Sequence, residues 1–410
     1  MTDRFGIERL KKVTDKGIRN VFTPSGPVRE VDLLFDRSDE VERLLSAMTT
    51  PGNHAIIYGQ RGVGKSSLAQ TSCMLLELLF KDGIKIVQCD SAMTFSGLVA
   101  GVLKDAGVDI RIAETESTKS HSVEGKIGVP IASAAGSHEA THRETLSYSQ
   151  SLTPSEVCAV ISSRNTLLII DEADAIADSG VRKNVAELMK LLSDNRSPFK
   201  VIIVGIAETA SFLVGEHPSV ERCLTQIQLD KLSNEGVGDI ILGGFSKLKM
   251  TVDEDVVSGI IYCSDGFPHF AHLLCLKSGE EAISDGRNNV TNRDLLKAQK
   301  AAAVDSYATL ERAFRDATRS SSTMAYRDIV YAACTLTSSE FTSDQLRAAY
   351  RRVTQEEITQ AALNNYFGRL VSDDGTKILR RIQKGVYRFS DPRMAPFARI
   401  DYRASQDNAS

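Results

Sequence analysis

Gly59-Gln60-Arg61-Gly62-Val63-Gly64-Lys65-Ser66, directly after the apolar run Ala55-Ile56-Ile57-Tyr58, decides the reading of this chain. The stretch fits the phosphate-loop pattern G-x-x-x-x-G-K-[ST], and the apolar run supplies the strand that must precede it. Glycines let the backbone curl so that successive N–H groups face phosphate oxygens, and the following helix adds its positive N-terminal end. Gln60, Arg61, Val63 and Ser67 complete the cradle. Lys65 reaches the β- and γ-phosphates as a point charge, and the Ser66 hydroxyl is placed to ligate Mg²⁺. Residues 67–80 read as a long helix, so the context is strand, loop, helix. The expected cofactors are ATP and Mg²⁺.

Hydrolysis needs a second carboxylate site, and Thr166-Leu167-Leu168-Ile169-Ile170-Asp171-Glu172 supplies it. Four apolar residues in a row suggest a strand buried on both faces of a parallel sheet. Asp171 at its C-terminal end is expected to hold the Mg²⁺ shell, and Glu172 to orient and deprotonate the attacking water, a role worth roughly 10² to 10⁴ in rate. Asp171-Glu172-Ala173-Asp174 also invites a helicase reading. No second RecA-like half with an arginine-rich motif accompanies it, and the chain turns helical after this region.

At 410 residues the chain is long enough for two or three domains, and 42% hydrophobic with 25% charged residues is an ordinary globular composition. A net charge of −4 gives no global pull toward nucleic acid or anionic membrane, so any such contact is local. The apolar runs fall well short of the ~18 residues of a membrane span, and Met1-Thr2-Asp3-Arg4 lacks the apolar core of a signal peptide. Seven cysteines without a C-x-x-C pair read as reduced cytosolic thiols, which gives an expected cytoplasmic location.

Residues 1–30 are polar and mixed, an N-terminal arm. Leu33–Leu45 opens a helix, and the α/β core is expected over 31–231. Strands at 55–59, 84–89, 166–170 and 200–205 alternate with helices at 65–80, 94–106 and 181–193, which implies a doubly wound parallel sheet. Residues 110–153 break this rhythm with Ser, Thr, Gly, Ala and His, and form an insertion that is either a floppy loop or a partner-touching element. Residues 232–320 carry helical periodicity in four stretches, 234–248, 253–264, 268–284 and a long exit helix at 292–319, and read as a helical lid.

Residues 321–400 change character: helices at 326–336, from 341, and at 355–371, a turn at Asp373-Asp374-Gly375, then two short strands around Gly385. Three helices followed by a hairpin is winged-helix order. Residues 323–400 hold twelve Lys/Arg against eight Asp/Glu, +4 where the whole chain is −4. Arg380, Arg381, Lys384 and Arg388 concentrate on the wing, and Arg347, Arg351, Arg352 and Arg369 lie on the helices. A basic wing grips phosphates while the third helix enters the major groove, so double-stranded DNA is the expected partner of 324–400, with protein contact as the competing use. Residues 401–410 read as a disordered tail.

In this order the pieces resemble the AAA+ ATPases, specifically the branch of origin-recognition-complex initiators and related bacterial ATPases, over about residues 30–400. Phe35-Asp36-Arg37-Ser38-Asp39-Glu40 is similar to that family's F-x-G-R-x-x-E segment flanking the adenine, with Asp36 in place of the glycine and Arg37 as a nucleotide-site residue. Val201–Thr209 resembles its fourth strand with the sensor-1 position, where Glu208 or Thr209 stands for the usual asparagine. The resemblance makes Arg222, ahead of a strand at Thr225–Leu229, the arginine finger offered to a neighbouring subunit, worth about 10³ to 10⁵ in rate, and implies a homo-oligomer. Ser264-Asp265-Gly266-Phe267-Pro268-His269 resembles the lid-helix start that often bears a sensor-2 arginine; the arginine is missing, and His269 or His272 stands near its place. At this point the chain also resembles STAND-type signalling ATPases.

These resemblances imply an ATP-driven switch that oligomerises and engages DNA, in replication, transposition or another mobile-element role. The alternative is a signalling or scaffold ATPase acting through protein partners, for example in bacterial antiviral defence, with 110–153 as a possible protein-binding element.

Overall fold

The computed structural model describes residues 7–28, 32, 34–108, 152–206, 218–305, 308–371 and 376–406. Residues 110–151 of the insertion, Glu208, Thr209 and the turn at 373–375 lie outside the described residues. The chain divides into two compact units, one of Met1–Leu45, Ile57–Leu76 and Ile227–Ser410, the other of Ser46–Ile56 and Glu77–Gln226.

The N-terminal half runs α1 (Ile7–Lys16), α2 (Ile18–Val21), α3 (Ser38–Thr49), β1 (His54–Gly59), α4 (Lys65–Leu76), β2 (Ile84–Gln88), α5 (Phe95–Asp105), α6 (Pro154–Ile161), β3 (Leu167–Asp171), α7 (Ser179–Asp194), β4 (Lys200–Gly205) and β5 (Leu224–Leu229). The five strands form one sheet in the order β2-β3-β4-β1-β5, with β2, β3 and β4 paired in parallel. The doubly wound expectation holds. Every residue of β3 and β4 is buried, as their unbroken apolar runs require, whereas β2 at the edge is part-exposed.

His54 and Lys200 are among the polar side chains sunk in this core. His54, at the start of β1, takes the Val201 N–H on Nδ1 at 3.1 Å and lies 3.2 Å through Nε2 from the Met189 carbonyl. Burial, then the neighbouring Lys200 charge, pushes its pKa down to about 3, so the ring is neutral. Lys200 places its ammonium on the carbonyls of Thr50 and Asn53, and burial lowers its pKa to about 8.

The second half begins with α8 (Asn234–Lys247), β6 (Thr251–Val252), α9 (Glu254–Ser264), α10 (Pro268–Ser284), β7 (Asn289–Val290), α11 (Asn292–Asp305) and α12 (Ala308–Thr318). The expected exit helix is helical over Asn292–Asp305 and Ala308–Thr318, with 306 and 307 outside the described residues, and β6 pairs β7 in a short parallel ladder that the helical periodicity around it hides. The N-terminal helices dock here: Arg9 and Arg19 pair with Glu281 and Glu280 of α10, at 2.5 and 2.8 Å.

The C-terminal module contains α13 (Ala325–Cys334), β8 (Glu340–Thr342), α14 (Ser343–Thr354), α15 (Gln360–Leu370), β9 (Leu379–Gln383), β10 (Val386–Phe389) and α16 (Met394–Gln406). Its antiparallel strands lie in the order β8-β10-β9. Two expectations are corrected. The helix read from 355 starts at Gln360, because Gln355 adopts φ 62° and ends α14 in the left-handed region. The tail expected to be disordered from 401 is helical to Gln406, because Phe397, Ile400 and Ala404 recur at helical spacing and are all buried.

Candidate nucleotide-binding site

β1 leaves the sheet at Gly59, where a Cβ would stand 2.1 Å from the Leu229 carbonyl oxygen, so no side chain fits. Gly62, at φ 89°, turns the loop back toward the start of α4. Lys65 is the first residue of that helix, and its ammonium lies 3.2 Å from the Gly59 carbonyl and 2.9 Å from that of Gln60. The lysine therefore sits across the mouth of the loop, and Arg61 is exposed on its rim. Val63 is buried, which anchors the loop, while Gly64, Ser66 and Ser67 are part-exposed at the helix start.

Three features hold this loop from behind. Arg37, itself buried, donates to the Val63 carbonyl at 3.2 Å and the Asp230 carbonyl at 2.6 Å, and pairs with Glu40 at 3.0 Å. Ser67 Oγ accepts the Val28 N–H at 3.2 Å, and Thr71 donates to the Val28 carbonyl at 3.0 Å, so the segment ahead of α3 is tied along α4. Asp36 keeps the glycine-like conformation of the position it occupies, φ 54°.

His269 is drawn to the Pro24 backbone; burial, chiefly, and the Arg393 charge lower its pKa to about 4, so it is a neutral ring. His272 takes the Thr23 N–H at 3.2 Å on Nδ1 and is lowered to about 4 by burial and by His269. Both histidines are engaged by the extended segment after α2.

The acidic stretch has its own geometry. Asp171 ends β3 as a buried carboxylate, and its Oδ1 accepts the Glu172 N–H at 2.9 Å. Glu172 is exposed and adopts φ 57°, in the left-handed region that few non-glycine residues occupy. The neighbouring Cys89 thiol is pushed up to about 12, by burial first and then by the field of Asp171, so it stays protonated. Arg222 lies exposed in the 3₁₀ turn Pro218–Cys223 that leads into β5.

Groups suited to a magnesium triphosphate are present in each unit taken by itself: loop N–H groups, an ammonium and a hydroxyl at the helix start in one, and a buried carboxylate at a strand's C-terminal end in the other. Residues 49–213 match the family described as "AAA domain". The chain carries an AAA domain. That domain contains the loop 59–67 and the Asp171-Glu172 pair, while Arg37, Arg222 and His269 fall outside the matched stretch.

The chain with its AAA domain is similar to the Walker-type ATPase of Pyrococcus abyssi, at 16% identity over 92% of this chain and 99% of that one, with a TM-score of 0.51, a likeness of fold. The ORC2 protein of Aeropyrum pernix in its ADPNP–ADP complexes is 14% identical, with 96% and 99% of the two chains covered and a TM-score of 0.48. The ORC1 protein of the same organism in complex with DNA is 15% identical, over 95% and 96%, with a TM-score of 0.46. No curated protein matches.

Sequence reasoning gave no role to Asp391 and Arg393, whose side chains join the loop region, as set out below. The available signal was Ser390-Asp391-Pro392 just ahead of a helical apolar pattern, a helix-start arrangement that fixes where the chain turns.

Proposed function

We propose that the chain is an ATP-binding and hydrolysing switch that couples nucleotide state to its C-terminal module. The observation that carries this reading is the loop itself: a glycine turn after a buried strand, closed by Lys65 at the start of α4 and held from behind by Arg37. In this reading Gly59–Ser67 wraps the phosphates, Lys65 leaves the Gly59 and Gln60 carbonyls for the β- and γ-phosphates, and Ser66 and Asp171 are the Mg²⁺ ligands. Bound Mg²⁺ supplies charge neutralisation on the phosphates. Glu172 takes the proton of the attacking water, Glu208 or Thr209 fills the sensor-1 role, Arg222 acts on a neighbouring subunit's nucleotide, and His269 is a neutral lid contact.

Nucleotide binding and phosphate release, measured on the full chain with Mg²⁺, test this. Glu172→Gln is expected to keep ATP binding and lose turnover by about 10² or more. Lys65→Ala is expected to weaken binding itself. Undiminished turnover in Glu172→Gln removes the base assignment, and nucleotide affinity indifferent to Lys65→Ala removes the site.

We read the C-terminal module as a winged helix that engages duplex DNA, since the hairpin tip presents Arg381 and Lys384 to solvent. A specific observation favours a second use. Arg351, Arg347 and Arg388 are spent on Glu357, Asp344 and Glu340, and Ile382 on the same hairpin is 41% exposed, which suits a protein partner.

A further inference from the structure

Arg393 stands between β10 and α16, in the C-terminal module, yet its side chain lies on the phosphate loop. A Cβ placed on Gly62 would meet its Cδ at 3.4 Å and its Cγ at 3.7 Å, with Phe267 Cδ1 of the lid at 3.5 Å. The guanidinium is held in a two-point grip by its near neighbour: Nε to Asp391 Oδ1 at 3.0 Å and Nη2 to Oδ2 at 2.6 Å. The Arg393 N–H adds a third bond to Oδ1 at 2.9 Å. Burial raises the Asp391 pKa, but the bonds from Arg393 and the field of Arg61 outweigh it and hold the carboxyl below its ordinary value. One guanidinium, from the module, thus grips a carboxylate at the loop's rim, and the charge of Arg61 on the loop adds to the field there.

An ion pair open to solvent contributes little. Here the Arg393 side chain is 16% exposed and Asp391 34%. The arrangement has the form of a displaceable pair: a planar fork prefers a phosphate that offers several charged oxygens over one carboxylate.

We propose that Arg393 is the phosphate-sensing residue of the nucleotide site, exchanged between Asp391 and the terminal phosphate of a bound nucleoside triphosphate. This rests on the ATP-binding reading above and names the group that distinguishes triphosphate from diphosphate, in a lid whose helix start carries no arginine. It also gives the C-terminal module a direct mechanical report of the phosphate count.

The test is titration of the full chain with fluorescent ATP and ADP analogues in the presence of Mg²⁺, for wild type, Lys65→Ala, Arg393→Ala, Arg393→Lys and Asp391→Asn, with thermal melts of each. Arg393→Ala is expected to weaken ATP about 10- to 100-fold, the range of a charged hydrogen bond, and ADP by less than about threefold. Arg393→Lys recovers part of the loss. Asp391→Asn frees the fork and tightens ATP several-fold, a gain that a purely bracing salt bridge would not give. Equal losses for ATP and ADP in Arg393→Ala, or unchanged or weakened ATP binding in Asp391→Asn, overturn the proposal while leaving the nucleotide site standing. A wild type that takes up no nucleotide, or a Lys65→Ala chain that binds as wild type does, overturns the underlying reading and this one with it.

Discussion

Asp36 holds a left-handed backbone at φ 54° and receives on one carboxylate oxygen both the N–H of Ser233, at 3.1 Å, and its hydroxyl, at 2.9 Å. Ser233 in turn caps α8 through the Gly236 N–H, at 2.9 Å. A Cβ on Gly236 would fall 2.3 Å from Asp36 Oδ2, so the carboxylate and the missing side chain are complementary. The departure from the glycine-bearing pattern at 36 is compensated two hundred residues away.

That pairing is testable as a cycle. Gly236→Ala is expected to destabilise the protein by about 2 kcal/mol, through overpacking and the displaced carboxylate. Asp36→Gly alone is expected to be nearly neutral, because relief of a left-handed strain of about 1–2 kcal/mol offsets the lost bonds. The double variant is then expected to recover most of the Gly236→Ala loss, a coupling read from urea unfolding of the four proteins. Strict additivity would mean that the two positions do not share one space.

His54 sets an acid limit on stability. Its folded pKa of about 3 lies below the unfolded value of about 6.5, so the unfolded chain binds the extra proton between those pH values. Stability is therefore full above about pH 6.5 and lost as pH falls toward 3, at about 1.4 kcal/mol per pH unit from this residue. Urea midpoints from pH 7 to pH 5 are expected to fall, and a neutral replacement, His54→Gln, is expected to flatten that slope while lowering stability at pH 7. An unchanged slope in the variant would show that other groups govern the acid limb.

Much of the core was legible because buried parallel strands write themselves as unbroken apolar runs: Leu167–Ile170 and Val201–Val204 were found within a residue or two of their ends. The turn of the loop 59–66 was legible for a chemical reason, since few residue types satisfy its backbone geometry. What escaped detection depends on contacts remote in sequence. The bonds of Arg37 to the Val63 and Asp230 carbonyls leave no local trace in the sequence. Arg393 carries no periodic or spacing signal, and its position on the loop follows from where the hairpin delivers it. The two-residue strands β6 and β7 are too short for any period to register.

Arg399 joins the end of α9 to the C-terminal module. Buried in α16, it donates to the carbonyls of Cys334 and Leu336 on one side and to Tyr262 and Asp265 on the other. Asp265 also holds Lys231, at 2.5 Å. Arg399→Met leaves several buried acceptors unpaired and is expected to cost about 3–5 kcal/mol. Limited proteolysis is expected to release the C-terminal module before the rest of the chain unfolds; simultaneous loss of all protection would show that the joint is not local.

The duplex DNA binding proposed above turns on which cations remain unspent. Arg352 and Lys384 are exposed and enter no ion pair among the described residues, Arg381 leans on the Tyr387 ring, and Asn364 and Asn365 face outward from α15. Such a surface gives an affinity that falls with salt at a slope of about −0.9 per phosphate neutralised. Removing Arg381 and Lys384 together is expected to reduce that slope by about 2 and to weaken binding about tenfold at low salt, for any sequence alike. Asn364→Ala should instead change the preference among sequences and leave the slope untouched, because amides read base edges and carry no charge. Fluorescence anisotropy with a labelled duplex over a salt series separates these effects. If no duplex binds at low salt, the exposed Ile382 becomes the decisive residue, and the module contacts protein.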